Sequence, residues 1–239
     1  TDNTVNQTGR VYLFFGRDPT IQNDFWSDNQ NFDETDADII IDNAGSDQLI
    51  FAGYSVALAD VNGDGIGDVI IGAPGKDCLL SDCPGFSGIE RDGTGRIYII
   101  YGSAAYTSGT TIDLNDVGDS VDGVQLVNNT DPDGGGLGYS MDTIGDLDGD
   151  GADEFVVGSP AYSDEQGRVY LVYSSLLANA SGTLVDIVPL SYIYPGEKAG
   201  DFTGFRVIHA GDVNGDDSPD FLIGARDFAT DSLDNAGKV

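Results

Sequence analysis

The sequence predicts an all-β fold: a β-propeller built of four-stranded antiparallel blades, with about three repeats present as a partial propeller or a fragment of a larger one. Three observations predict it. A nine-residue acidic loop occurs three times, as Asp60–Asp68, Asp146–Glu154 and Asp212–Asp220. A strand motif opening Gly-Arg-Val/Ile-Tyr occurs at Gly9–Gly16, Gly95–Gly102 and Gly167–Ser174, and Gly237-Lys238-Val239 begins it again. Candidate strands fall four to a period, and many are apolar throughout rather than alternating.

The strand motifs are offset by 86, 72 and 70 residues, a self-similarity that points to a repeat architecture. Repeat units of approximately 9–94, 95–166 and 167–236 follow, with a fourth beginning at 237. A third element, Phe51-Ala-Gly-Tyr-Ser55, recurs as Leu137-Gly-Tyr-Ser140 and Phe202-Thr-Gly-Phe-Arg206, always just before the acidic loop. After the first strand, the candidates lie at about 38–42, 53–59, 68–72, 96–101, 122–127, 138–144, 154–158, 168–173, 190–194, 204–210 and 220–224. They are rich in Val, Ile, Tyr and Phe, which suit a pleated, buried surface. Strands apolar on both sides are covered on both faces. Four-stranded sheets arranged radially supply that cover, because each is packed between its neighbours. A β-sandwich is the alternative, but its strands alternate more cleanly. No amphipathic helix of useful length appears; the segment Ala178–Ala180 is too short.

With 239 residues and 40% hydrophobic content, the chain has material for a large core. Its formal net charge of −31, from 10 basic and 41 acidic residues, repels nucleic acid and anionic membrane surfaces and attracts cations. No apolar run has the roughly 18 residues of a spanning helix, so direct membrane insertion is not expected. No signal peptide is visible, so any targeting segment is expected to have been removed or to lie outside this sequence. Cys78 and Cys83, with four residues between them, suit a local disulfide in an oxidising compartment; two free thiols are the alternative. A zinc site would need two more ligands, and the one histidine, His209, lies in a different repeat.

The elements Phe51/Gly53/Tyr54/Ser55, Asp60–Asp68, Gly72-Ala73-Pro74 and Gly95–Gly102, with their counterparts, resemble the FG-GAP repeats of integrin α-subunit propellers and their bacterial relatives. The resemblance runs through nearly the whole chain and implies that the acidic loop joins the first and second strands of a blade. The chain would then start with the last two strands of one blade, continue through two whole blades and finish with the first two strands of another. Propellers of this family typically have seven blades, which about three repeats do not close. The expectation is therefore a fragment, completed by the remaining blades of the same protein or by a second copy.

The loops carry the chemistry. Oxygen-bearing side chains stand at positions 1, 3, 5 and 9: Asp60, Asn62, Asp64 and Asp68; Asp146, Asp148, Asp150 and Glu154; Asp212, Asn214, Asp216 and Asp220. Calcium takes six to eight such oxygens in flexible geometry, whereas magnesium keeps several waters. The resemblance adds a backbone carbonyl at position 7, from Ile66, Ala152 and Ser218. Up to three Ca2+ sites are expected, with a structural role. An EF-hand opens with a similar pattern but needs Glu at position 12, where this chain has Ile71, Val157 or Ile223. The second loop departs at its end, where Asp153 and Glu154 are both acidic; Glu154 is the expected ligand and Asp153 the substitute. The third departs at position 6, where Asp217 replaces Gly. Asp tolerates positive φ better than most residues.

Arg10, Arg96, Arg168 and Lys238 share one repeat position and are expected to make an ion pair in each blade; Tyr12, Tyr98 and Tyr170 share another and are expected to be structural. Trp26, in an Asp/Asn-rich insertion, is a candidate partner contact, and loops 76–94 and 128–137 are candidates for binding specificity. Sequons occur at Asn6, Asn128 and Asn179. The chain lacks a Ser/His/Asp set, a phosphate loop and a basic groove, so it is not expected to be an enzyme. The expected function is adhesion or ligand binding in an extracellular or cell-surface setting, with a protein or glycan ligand at the propeller face. An accessory domain of a secreted hydrolase or lyase is the alternative, as is a structural component of a surface layer or filament.

Overall fold

The computed structural model describes residues 9–16, 34–43, 51–75, 95–130, 135–177, 184–229 and 237–239. Cys78, Cys83, Trp26, the whole of loop 76–94, residues 131–134 of loop 128–137 and the sequons at Asn6 and Asn179 lie outside them. The described strands are β1 (Arg10–Leu13), β2 (Ile39–Asp42), β3 (Ser55–Ala59), β4 (Asp68–Ala73), β5 (Arg96–Ile100), β6 (Thr110–Asp113), β7 (Gly123–Val127), β8 (Ser140–Gly145), β9 (Glu154–Ser159), β10 (Arg168–Val172), β11 (Leu184–Asp186), β12 (Ser191–Pro195), β13 (Thr203–Gly211) and β14 (Asp220–Ala225).

These strands form an open partial propeller. Strands β3-β4-β5-β7 and β8-β9-β10-β12 make two antiparallel four-stranded sheets. Before them stands the pair β1-β2, and after them the pair β13-β14. The acidic loops join β3 to β4, β8 to β9 and β13 to β14.

Side chains on one strand alternate between two cores, as the two-residue period of a strand requires. In β5, Ile97 and Ile99 enter the core shared with the following sheet, while Tyr98 and Ile100 enter the one shared with β1-β2. In β10, Tyr170 and Val172 face back to that first core, while Val169 and Leu171 face β13. The central strands are apolar on both faces because each sheet is the filling between two others.

Two strands depart from the sequence expectation. β6 lies between β5 and β7 in the chain but pairs in parallel with β2, Ile39 opposite Thr110 through Asp42 opposite Asp113. β11 lies between β10 and β12 but pairs in parallel with β7. The link from third to fourth strand thus reaches back and covers the outer edge of the preceding sheet, an edge that would otherwise present unpaired backbone groups. Three or four residues without a core pattern of their own, Thr-Thr-Ile-Asp and Leu-Val-Asp, leave little trace in the sequence.

The inner ends of the sheets meet backbone to backbone. Ser55 Oγ donates to the Gly138 carbonyl at 2.7 Å, and Ser140 Oγ to the Gly204 carbonyl at 2.8 Å. A Cβ at Gly72 would overlap the Gly138 carbonyl oxygen, and one at Gly158 the Gly204 carbonyl oxygen. The aromatic residues of the same motif stack from sheet to sheet, Tyr54 on Tyr139 with centroids 4.7 Å apart and Tyr139 on Phe205 at 5.1 Å. The residue opening this motif has positive φ each time, at Phe51 (53°), Gly136 (68°) and Phe202 (52°). The true counterpart of Phe51 is therefore Gly136, one residue before Leu137.

The expected ion pair per blade is corrected. Arg10 pairs with Asp42 at 2.8 Å and Lys238 pairs with Glu197, but Arg96 hydrogen-bonds Gln125 at 2.7 Å and Arg168 stacks on Tyr162 at 3.5 Å. Asn128 is buried and its Nδ2 donates to the Tyr170 hydroxyl at 2.8 Å, so this sequon presents no free amide for glycosylation. Gly158→Ala is expected to destabilise the fold by roughly 1–3 kcal/mol through backbone overlap. Gly224→Ala, whose added Cβ would have its nearest contact at 3.5 Å, should change stability by less than about 0.5 kcal/mol. Urea unfolding of the two variants measures the difference.

Candidate metal centres

Each acidic loop is a series of side-chain-to-backbone hydrogen bonds with the same register. The position-1 carboxylate accepts the N–H groups of positions 5 and 6: Asp60 from Asp64 and Gly65, Asp146 from Asp150 and Gly151, Asp212 from Asp216 and Asp217. Position 3 accepts from position 5, at Asn62, Asp148 and Asn214. Position 5 accepts from the N–H of position 7, which belongs to Ile66, Ala152 and Ser218. These turns need positive φ at positions 4 and 6. Gly63, Gly65, Gly149, Gly151 and Gly215 supply it, and Asp217 adopts it with φ 66°.

Position 9 does something different. Asp68 is fully buried, and its two oxygens accept Val61 N–H at 2.9 Å and Gly102 N–H at 2.7 Å. Glu154 is fully buried too and accepts Leu147 N–H at 2.7 Å and Ser174 N–H at 3.2 Å. The ninth residue therefore ties the loop to the end of the third strand, and the longer Glu spans the same two donors as Asp. Asp220 bonds Val213 N–H at 2.8 Å but is only half-buried, because no third strand passes over it in the described residues.

Burial, then the neighbouring carboxylates, raise the pKa of Asp68 and of Glu154 and so make both weaker acids. Asp68 is pushed up by desolvation and by Asp64 and Asp60, against the pull of its two backbone donors. Glu154 is pushed up by desolvation and by Asp148. Both bind protons more tightly in the folded chain than in the unfolded one. On their own they favour folding at acid pH and oppose it as pH rises through their folded-state values. Exposed Asp212 and Asp216 shift down, the first through the Asp217 backbone donor and the second through the Asn214 side chain. No basic side chain pairs with Asp68 or Glu154 among the described residues.

The second loop gathers its carboxylates most closely: ligand atoms of Asp146, Asp148 and Glu154 all lie within 4.8 Å of one another. Asp150 stands outside that group. Asn62 and Asn214 replace Asp148 in the other loops, with their amide Nδ2 bonded to Asp64 and Asp216. A donor set of carboxylate and amide oxygens with no nearby base fits a hard divalent cation. The expected substitute ligand Asp153 is corrected: its carboxylate turns away and accepts Asp60 N–H of the first loop at 3.0 Å. Sequence reading also passes over the Gly102 and Ser174 N–H groups. The signal for them is that each closes the Gly-Arg-Val/Ile-Tyr motif.

The FG-GAP repeat family model matches residues 52–100 and 137–172, which contain the first two loops. The chain carries FG-GAP repeats and has an integrin-α-like propeller fold. It is 30% identical to integrin alpha-PS2 of Drosophila melanogaster over 179 residues, 73% of this chain and 11% of that protein. It is 26% identical to integrin alpha-4 of Xenopus laevis over 230 residues, 95% of this chain and 17% of that protein. It is also 29% identical to phosphatidylinositol-glycan-specific phospholipase D of Homo sapiens over 177 residues, 72% of this chain and 18% of that protein. The chain thus spans between a tenth and a fifth of the length of these relatives.

In chelator, Asp68→Ala should lower the unfolding free energy by about 1–3 kcal/mol for each backbone N–H left without an acceptor. Asp64→Ala, in an exposed part of the same loop, should have a much smaller effect under those conditions. Urea unfolding in excess chelator separates the two.

Proposed function

We propose that this chain is a calcium-stabilised propeller module that works outside the cell in adhesion or ligand binding. The observation that carries the calcium reading is the convergence of Asp146, Asp148 and Glu154, with Glu154 fully buried and unpaired by any base among the described residues. The proposed ligands are the side chains of Asp60, Asn62, Asp64 and Asp68; Asp146, Asp148, Asp150 and Glu154; and Asp212, Asn214, Asp216 and Asp220. The carbonyls of Ile66, Ala152 and Ser218 complete the sets. A bound cation would supply positive charge where a buried carboxylate and its more exposed neighbours otherwise repel one another. The side chains then fix the hairpins β3–β4, β8–β9 and β13–β14 at their tips, and the position-9 residues carry that constraint to the third strands.

The adhesion reading rests on similarity to integrin alpha subunits, and the extracellular setting on the same relatives. Among the described residues, no helix is long and apolar enough to cross a membrane. The proposed partners are a protein or glycan ligand at the propeller face and further blades or a second copy at the open ends. A second reading, an accessory domain beside a hydrolase, is favoured by the similarity to phosphatidylinositol-glycan-specific phospholipase D. No catalytic role is assigned to this chain in either reading.

Calcium at about 100 times its dissociation constant should stabilise each occupied site by about 2.7 kcal/mol. For a chain of this size, that is a rise in Tm of roughly 5 °C or more over chelator. Scanning calorimetry reads the shift, and an unchanged melt would overturn the calcium reading. For adhesion, an array of matrix proteins and glycans probed in calcium and in chelator should give calcium-dependent spots; silence in both would count against it.

A further inference from the structure

The first two loops touch. Asp153, position 8 of the second loop, donates its backbone N–H to the Asp60 carbonyl at 2.8 Å. Its carboxylate accepts the Asp60 N–H at 3.0 Å. One residue therefore holds both backbone groups of Asp60, the first position of the neighbouring loop. Asp153 is itself fixed from behind, where its carbonyl accepts the Ser174 hydroxyl. The backbones approach closely at the same place: a Cβ at Gly63 would lie 3.6 Å from both Ala152 Cβ and the Gly151 carbonyl oxygen.

We infer that Asp153 couples cation binding at the first loop to cation binding at the second, while the third loop binds independently. The inference rests on the calcium reading above. Asp153 stands between Ala152 and Glu154, the proposed ligands at positions 7 and 9 of its own loop. Ordering that loop fixes Asp153, and Asp153 fixes Asp60 in the next. Part of the conformational cost of closing one loop is then already met when the other is closed, which is positive coupling and acts equally in both directions. The third loop lacks the device. Its position 8 is Pro219, which has neither an N–H nor a carboxylate to offer Asp146. The first loop has Gly67 there, with no side chain to reach outward.

The test is calcium titration of the 239-residue chain by isothermal calorimetry, with loops disabled singly and in pairs at their exposed third and fifth positions. The double variants are Asn62→Ala with Asp64→Ala, Asp148→Ala with Asp150→Ala, and Asn214→Ala with Asp216→Ala. Circular dichroism at saturating calcium checks each fold. Disabling the second loop should weaken the first about five-fold or more. Disabling the third should change the first by less than about two-fold, within the weak additive range of separate sites. Asp153→Ala, which leaves every proposed ligand in place but removes the carboxylate bond to Asp60, should weaken the coupling clearly. Asp153→Asn, which loses the same charge but keeps an acceptor for Asp60 N–H, should retain it. Equal first-loop affinity with and without the second loop overturns the inference. So does an equal effect from the third loop, or loss of coupling in Asn and Ala variants alike, since either would mean diffuse electrostatics. If the unaltered chain binds no calcium, the calcium reading itself fails, a result distinct from independent binding.

Discussion

Consecutive sheets come together backbone against backbone at their inner strands, and the rest of the molecule depends on that approach. Gly72 and Gly158 admit the carbonyl oxygens of Gly138 and Gly204, and Ser55 and Ser140 hydrogen-bond those oxygens. A side chain at either glycine would hold the sheets apart. The separation set there fixes how far Phe155 and Val157 on one sheet lie from Ile97 and Ile99 on the other, and hence whether the shared core closes. Interiors pack at crystal-like density, so a small displacement at the inner edge is felt throughout the layer.

The acidic loops sit at one end of these same hairpins and are joined to the core through a single residue each. Asp68 and Glu154 are buried because the third strand crosses over them, and they are tolerated because two backbone N–H groups face each carboxylate. Charge buried without a basic partner is costly unless hydrogen bonds or a cation compensate. The loops therefore combine a strong local scaffold with a buried carboxylate that has no basic partner among the described residues.

The parallel strands β6 and β11 add a second kind of contact between sheets, at the outer rim. Each leaves its own sheet, crosses to the preceding one and completes its free edge. Between the two four-stranded sheets, the inner glycine contact and the outer strap β11 hold both the inner and the outer edge. Asp153 does the same among the acidic loops, joining loop to loop by one main-chain bond and one bond to its carboxylate.

The sequence by itself determined the repeated elements, because each is local. Oxygen donors at fixed positions of a nine-residue loop, glycines at its fourth and sixth positions and short apolar runs on both sides are legible without knowing what lies nearby. The order of strands in the sheets follows from that repetition, and so does their two-sided burial. Only the tertiary structure decided what each residue faces in the next sheet. It turned Asp153 toward Asp60 rather than into its own loop, and buried Asn128 against Tyr170. It gave Arg96 and Arg168 partners other than carboxylates, and sent β6 and β11 to another sheet's edge. The physical reason is common to all of these. They are contacts between residues tens of positions apart, set by the spacing of whole sheets, and a repeat pattern is silent about which neighbour a side chain will meet.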